Sequence, residues 1–434
     1  MLLTIIVFFL VLSLLVFAHE LGHFFVARKF GVKAEEFGFG FPPRIFGLQI
    51  LKRARLIGTS QTEEITAEVI DQPLADGSEV IQEKITDKIK EIDLVAPTKK
   101  WHFIRGGRDL TPEEKNFGTV YSINWLPLGG FVKIKGENGE HEEDKDSFAA
   151  QPIWQRSAIL SAGVSLNIIL AMILITIGFM IGLPQVLDNL GHNAEVSHRQ
   201  VQIVQIFDAS PAAGAGLAVG DAIVGINNQN FVNYNELQKY VADRAGEKLN
   251  YRIKRGQEEF VSQITPEIRP ESGQGGIGIG IAETGIVKYP WYIAIWQGIK
   301  TTFVLLWVII VAFYQLFKGL IIGQGLSVEL AGPVGIAALT GEVTRMGFIY
   351  LLQFTALLSI NLAIINFLPF PALDGGRVLF LIIEKFKGSP VKRELENIIH
   401  NIGFALLMLL VLVVTFRDIS RFSGVFKGIW EKIF

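Results

Sequence analysis

Leu14-Leu15-Val16-Phe17-Ala18-His19-Glu20-Leu21-Gly22-His23-Phe24-Phe25-Val26-Ala27-Arg28-Lys29 places two histidines and a glutamate at the end of an apolar run that stops at a basic pair. On a helix His19 and His23 stand at i and i+4, one turn apart on one face, where both imidazoles can reach one ion with Glu20 beside it as candidate base. A stray pair of histidines is more often structural. Ionisable groups beside an uninterrupted apolar helix are costly to keep in lipid, however, and by default mark function. At about 1.5 Å per residue His23 lies about 8 Å along the helix from Arg28, so the site is submerged but close to one surface.

Reading outward, Met1 to Ala18 carries no Asp, Glu, Lys or Arg. It lacks the basic start and small-residue cleavage site of a secretory signal and is read as a retained transmembrane helix over residues 1–27. Four further charge-free windows follow at Ala158 to Leu183, Thr301 to Phe317, Met346 to Leu373 and Asn401 to Phe416. A span needs about 20 mostly apolar residues, so all are candidates. Half of the 434 residues are apolar and the middle of the chain is charged, which predicts a polytopic α-helical membrane protein embedded in the lipid bilayer with hydrophilic insertions. The net charge of −2 gives no reason to expect a nucleic-acid partner, and the absence of cysteine removes disulfides and thiolate ligands. Any metal here must use His, Asp or Glu.

Catalytic zinc generally takes three protein ligands and leaves a fourth position for water. Two histidines leave one ligand to find. Asp374 in Asn366-Phe367-Leu368-Pro369-Phe370-Pro371-Ala372-Leu373-Asp374-Gly375-Gly376 is the first acidic residue after 28 uncharged residues. Its prolines and glycines predict a broken helix end, which at membrane depth is tolerated only against protein or a wet cavity. The plainer alternative is that Asp374 caps a helix beginning near Arg377.

The stretch 28–157 between the first two spans opens with Glu36-Phe37-Gly38-Phe39-Gly40-Phe41-Pro42-Pro43, which suits a membrane-edge strand or re-entrant loop. Residues 51–116 become charged with both signs and are expected to form an inserted module or loop. Residues 119–135 return to β-rich alternation broken by Pro127 and Gly129-Gly130, which predicts a bent hairpin or edge strand. After the span at 158–183, residues 196–285 form a polar block with strands at Val201 to Phe207, Ala222 to Ile226, Leu249 to Lys254 and Phe260 to Ile264 and a helix at Asn235 to Asp243. Its Ser210 to Leu217 and Val219 to Ile223 stretches resemble bacterial PDZ domains, so a peptide ligand is a possible partner.

HELGH, FGFGFPPR, YSINWLPLGGFVKIKGE, the single PDZ-like block, LAGPVGIA at 330–337 and NFLPFPALDGG together resemble a bacterial site-2 protease. The resemblance implies an intramembrane zinc (Zn2+) endopeptidase of single-span membrane proteins, for example anti-sigma factors or signal-peptide remnants. It implies His19, His23 and Asp374 as metal ligands, Glu20 as the catalytic acid/base, and Asn366 as a holder of the substrate backbone. Because a transmembrane substrate must be unwound before attack, either Gly38, Phe39 and Gly40 or the 119–135 hairpin is expected to offer it a strand edge.

His19, His23 and Asp374 all follow the ends of apolar segments, so helices 1–27 and 346–373 must run in the same direction to meet at one ion. That is satisfied if 158–183 is the only crossing between them, with 290–322 an amphipathic or re-entrant helix and 398–416 a fourth span. Basic residues after the first helix and after Asp374 place the zinc-bearing ends at the cytoplasmic face of the cell inner (plasma) membrane and the PDZ-like block outside. Two other classes of function fit parts of the sequence: an ion carrier, and a scaffold with a structural zinc site. Neither requires an intact Glu20 within HExxH.

Overall fold

The computed structural model describes residues 2–50 and 101–421, apart from 109, 112–117, 189, 192, 232, 257, 269–272 and 324–330. Most of the module expected at 51–116 lies outside the described residues. The chain divides into two units, one of residues 12–163 and 380–393, the other of 1–11, 164–379 and 394–434.

The first unit is organised on helix α1, Leu2–Lys29, from residue 12 onward, and the helix ends at Arg28 and Lys29, the charge favoured at a helix C-terminus. Gly31, at φ +78°, turns the chain away while the Val32 N–H returns 2.9 Å to the Ala27 carbonyl. Three strands follow: β1 Ala34–Ile50, β2 Trp101–Arg105 and β3 Val120–Ile134. The prolines and glycines read from the sequence bend both long strands, so each enters the sheet twice. The segments lie in the order 101–105, 46–50, 120–124, 34–39 and 130–134. A buried bidentate pair closes the bend of β1, Arg44 Nε and Nη2 each donating over 2.8 Å to the Glu36 carboxylate. The bends carry apolar side chains outward: Phe39, Phe41, Ile45, Trp125 and Leu126 are all exposed. Residues with that chemistry at a sheet's tip fit a hairpin dipping into lipid.

Helix α2, Ile153–Ile181, begins in this unit, where Arg156 donates to the Glu384 carboxylate. At the polar end the Lys135 ammonium bridges Asp144 and Asp146 at 2.9 and 2.7 Å, and its hydrogen bond holds Asp144 below the usual carboxylate pKa.

The second unit contains the PDZ-like domain. Strands β4 Leu183–Val186, β5 Glu195–Ile206, β6 Ala222–Ile226, β8 Leu249–Arg255, β9 Glu258–Ile264 and β12 Ile279–Lys288 pair antiparallel in the order β4-β12-β5-β6-β8-β9, with β7 Gln229–Asn230 beside β6. Two short helices, α3 Pro211–Gly214 and α4 Tyr234–Ala242, start at Ser210 and Asn233 caps. Leu237 and Val241, one turn apart on α4, bury against Val201, Ile223, Tyr251 and Ile253. A two-stranded pair, β10 Glu267–Ile268 and β11 Gly275–Gly276, completes the domain. Asp221, buried, holds one edge by accepting from Arg255 Nε at 2.7 Å, Arg255 Nη2 at 2.8 Å and the Ala218 N–H at 2.9 Å.

Five helices follow: α5 Trp291–Ile322, α6 Pro333–Met346, α7 Phe348–Phe367, α8 Asp374–Lys387 and α9 Arg393–Arg421. By length and composition α1, α2, α5, α7 and α9 could each cross a membrane, which makes five candidates among the described residues where four crossings are expected. The chain is a multi-pass α-helical membrane protein with a PDZ-like domain. The window at 346–373 is not one helix. Gly347, at φ +121°, separates α6 from α7, and α7 stops at Phe367 because Pro369 and Pro371 cannot supply the N–H groups of a continuing helix.

Candidate metal centre

His19 and His23 lie on the face of α1 turned to α2, both about 6% exposed, and their Nε2 atoms are 3.1 Å apart. Two nitrogens bound at about 2.0–2.1 Å to one tetrahedral zinc would be about 3.3–3.4 Å apart, so the pair is already spaced for a shared ion. His23 is also oriented for it: Nδ1 lies 2.8 Å from the Ile159 carbonyl, a partner that fixes the proton on Nδ1 and leaves Nε2 as the lone-pair donor.

Glycine makes this closeness possible. A Cβ on Gly163 would stand 2.4 Å from His23 Nε2 and 2.6 Å from His19 Cε1, and one on Gly22 would stand 2.3 Å from the Ala162 carbonyl oxygen. Backbone meets backbone between α1 and α2, as at other small-residue contacts between membrane helices. The opposite face of α1 packs on the sheet: Phe17, Leu21 and Phe24 meet Ala34, Phe37 and Val132. The bend of β3 presses there too, since Gly129 and Gly130 face Val16 and Phe17, and Ser13 Oγ donates over 2.7 Å to the Pro127 carbonyl. Glu20, partly buried, sits in the same turn as the two histidines.

Asp374 is the first residue of α8, not a cap before a helix starting at Arg377; the Arg377 N–H already returns to the Leu373 carbonyl at 3.4 Å. Gly375 and Gly376 let this first turn lie against the end of α7, because a Cβ on either would come within 2.3 Å of the Leu368 or Phe370 carbonyl oxygen. Asn366 stands one residue from the end of α7. Among the described residues His19, His23 and Asp374 form the group suited to hold a metal ion, their ligand atoms all within 4.8 Å of one another.

Gly38, Phe39 and Gly40 lie in β1. Gly38 and Phe39 pair on one side with Phe131 and Gly130 and on the other with Ser122 and Ile123, so their backbone is interior to the sheet. The two glycines answer local demands: a Cβ on Gly38 would strike Ser122 Oγ at 2.5 Å, and Gly40, at φ +86°, accepts from Asn124 Nδ2 at 2.8 Å. The outer side of 130–134 has no partner among the described strands.

Residues 7–55 and 99–410 match peptidase family M50. The chain belongs to that family. It is 30% identical over 447 residues to the regulator of sigma-W protease RasP of Bacillus subtilis, an alignment covering 96% of this chain and 98% of the relative. To the zinc metalloprotease RasP of Geobacillus kaustophilus it is 31% identical, with 96% and 98% covered. Among solved structures it is similar to the PDZ domain of an SdrC-like protein of Listeria monocytogenes, at 27% identity over 20% of this chain and 92% of that one, with a TM-score of 0.19.

Sequence reasoning missed the Ile159 carbonyl and Gly163, which orient and back the histidines in this M50 peptidase. The signal was faint but present. Gly163 stands in a charge-free window where a glycine otherwise only weakens a helix.

Proposed function

We propose that this chain is a zinc-dependent intramembrane endopeptidase that cleaves the transmembrane segments of single-span membrane proteins. The observation that carries the reading is the paired, pre-oriented imidazoles of an HExxH helix within ligand distance of a single aspartate. His19, His23 and Asp374 hold the ion, an all-nitrogen-and-oxygen set that suits zinc in a chain without cysteine. Bound there, zinc would supply the Lewis acidity that polarises a peptide carbonyl and makes a water more acidic. Glu20 would accept a proton from the attacking water at its carboxylate and deliver it to the nitrogen of the departing amine. Asn366 holds the substrate backbone from the end of α7. An ion carrier needs neither the Glu20 spacing nor an oriented tautomer at His23.

The substrate adds as a strand to the outer side of 130–134, not to Gly38 and Phe39, which already pair on both sides. Proline at Phe131 or at Val132, whichever presents its N–H outward, is expected to reduce cleavage at least tenfold with zinc content unchanged. Equal cleavage by both variants would remove the strand-addition step.

For topology, the zinc-bearing ends face the cytoplasm and the PDZ-like domain, a candidate peptide binder, lies outside. Helix α5 starts beside the far end of α2, where the Tyr289 N–H donates over 2.9 Å to the Phe179 carbonyl. Helix α6 packs Gly341 on Thr4 at the start of α1 and Gly335 on Asp418 near the end of α9. Both contacts lie on the face where α1 begins, so α5 lies along the outer interface and four helices cross. Its exposed Trp291, Tyr292 and Trp296 suit headgroup depth.

Chelation of the purified chain tests the function. Cleavage of a tagged single-span protein should stop and return on adding zinc. Loss of ion flux without any cleavage would indicate a carrier, and loss of stability alone a structural zinc site.

A further inference from the structure

His400, on α9, has no part in the chemistry derived above, yet its ring touches the segment that delivers Asp374. The Ala372 N–H donates over 2.9 Å to His400 Nδ1. Ala372 is one of few residues other than glycine with a left-handed backbone, at φ +77°, and it lies two positions before Asp374. L-residues with a Cβ disfavour that conformation, so it persists where neighbouring contacts enforce it.

A second contact falls on the same face of α9, one turn further on. A Cβ on Gly403 would come within 2.4 Å of Pro371 Cβ and 2.7 Å of the Pro371 carbonyl oxygen. Residues three apart on a helix are neighbours, so His400 and Gly403 form one seat for the Pro371-Ala372 turn. Glu396, a turn earlier, places a carboxylate oxygen 4.0 Å from His400 Nε2. That charge favours the proton on Nε2, which leaves Nδ1 as the acceptor that the Ala372 N–H requires.

We propose that His400 is a positioning residue for Asp374. By accepting from Ala372 it holds the left-handed turn in the one shape that points the Asp374 carboxylate at the metal. The inference rests on Asp374 being a ligand. Groups that orient metal ligands from behind typically change metal affinity about 10–100-fold when removed.

The test uses the full chain in detergent, loaded with zinc for affinity and with cobalt(II) for its visible spectrum, which reports the ligand set. His400→Leu removes the acceptor. His400→Asn keeps one, since the amide oxygen falls near the place of Nδ1. The Leu variant should lose zinc to a competing chelator at about 10–100-fold lower chelator concentration, shift its cobalt bands, and lower kcat with KM unchanged. The Asn variant should stay within about threefold of the native chain on all three readouts. Native affinity and a native cobalt spectrum in the Leu variant would overturn the proposal. So would an Asn variant as impaired as the Leu variant when both elute as folded protein. Should the Leu variant aggregate, the Asn variant decides: near-native affinity supports the seat, and a loss equal to that of Asp374→Ala overturns it. Asp374→Ala, run in parallel, isolates the underlying reading, because native zinc affinity and spectrum in that variant would refute Asp374 as ligand whatever His400 does.

Discussion

Glu20→Gln is expected to lower the cleavage rate of a tagged single-span substrate by about 10²–10⁴-fold, the range that positioned general acid–base groups contribute, while the chain keeps its zinc. The amide is close in shape to the carboxylate and Glu20 is not a ligand in this reading, so the ion should remain. The amide cannot take up a proton at pH 7, and both proton transfers fail together. Because the lesion is in chemistry and not in binding, kcat should fall with KM nearly constant. Equal cleavage by the variant and the native chain, at equal zinc content, would assign the activity to another site or another protein.

Gly163→Ala is expected to cost nearly as much by a different route. The added methyl would lie 2.4 Å from His23 Nε2 and 2.6 Å from His19 Cε1, whereas carbon and nitrogen out of bonding contact need more than 3 Å. Either the imidazoles swing away or α2 retreats. Overpacking of this kind costs about 1–3 kcal/mol, and a displacement of about 1 Å at a reacting centre can cost about 10²-fold in rate. Zinc content should fall in this variant, which separates it from Glu20→Gln. A Gly163→Ala chain with full zinc and native kcat would mean that the α1–α2 contact has more slack than its geometry shows.

Much of this architecture can be read from the sequence because the solvent changes along the chain. Apolar windows without charge mark the long apolar helices, and short apolar runs between turn residues mark the PDZ-like strands; β6 falls at Ala222–Ile226, as read. The HExxH spacing needs only helical geometry to bring His19 and His23 together. What composition could not give is three-dimensional closure. Whether Gly38–Gly40 or 130–134 is the free edge depends on β1 and β3 each bending back through the same sheet, which is a matter of register. The break at Gly347 falls at the very start of the charge-free window, two residues after Arg345, and the preceding α6 carries Glu342 and Arg345, so hydropathy alone does not show a second helix there. Nothing in the sequence singles out His400, because its partner is a backbone N–H, and backbone groups leave no mark in a sequence.

The tight crossing of α1 and α2 also sets terms for inhibitors. With Gly22 against the Ala162 carbonyl and Gly163 against both imidazoles, the rear of the histidine pair is sealed by main chain. A chelating compound must therefore carry its bulk away from α2. Selectivity over soluble metallopeptidases would come from extended, strand-like groups and not from anything that wraps behind the ion.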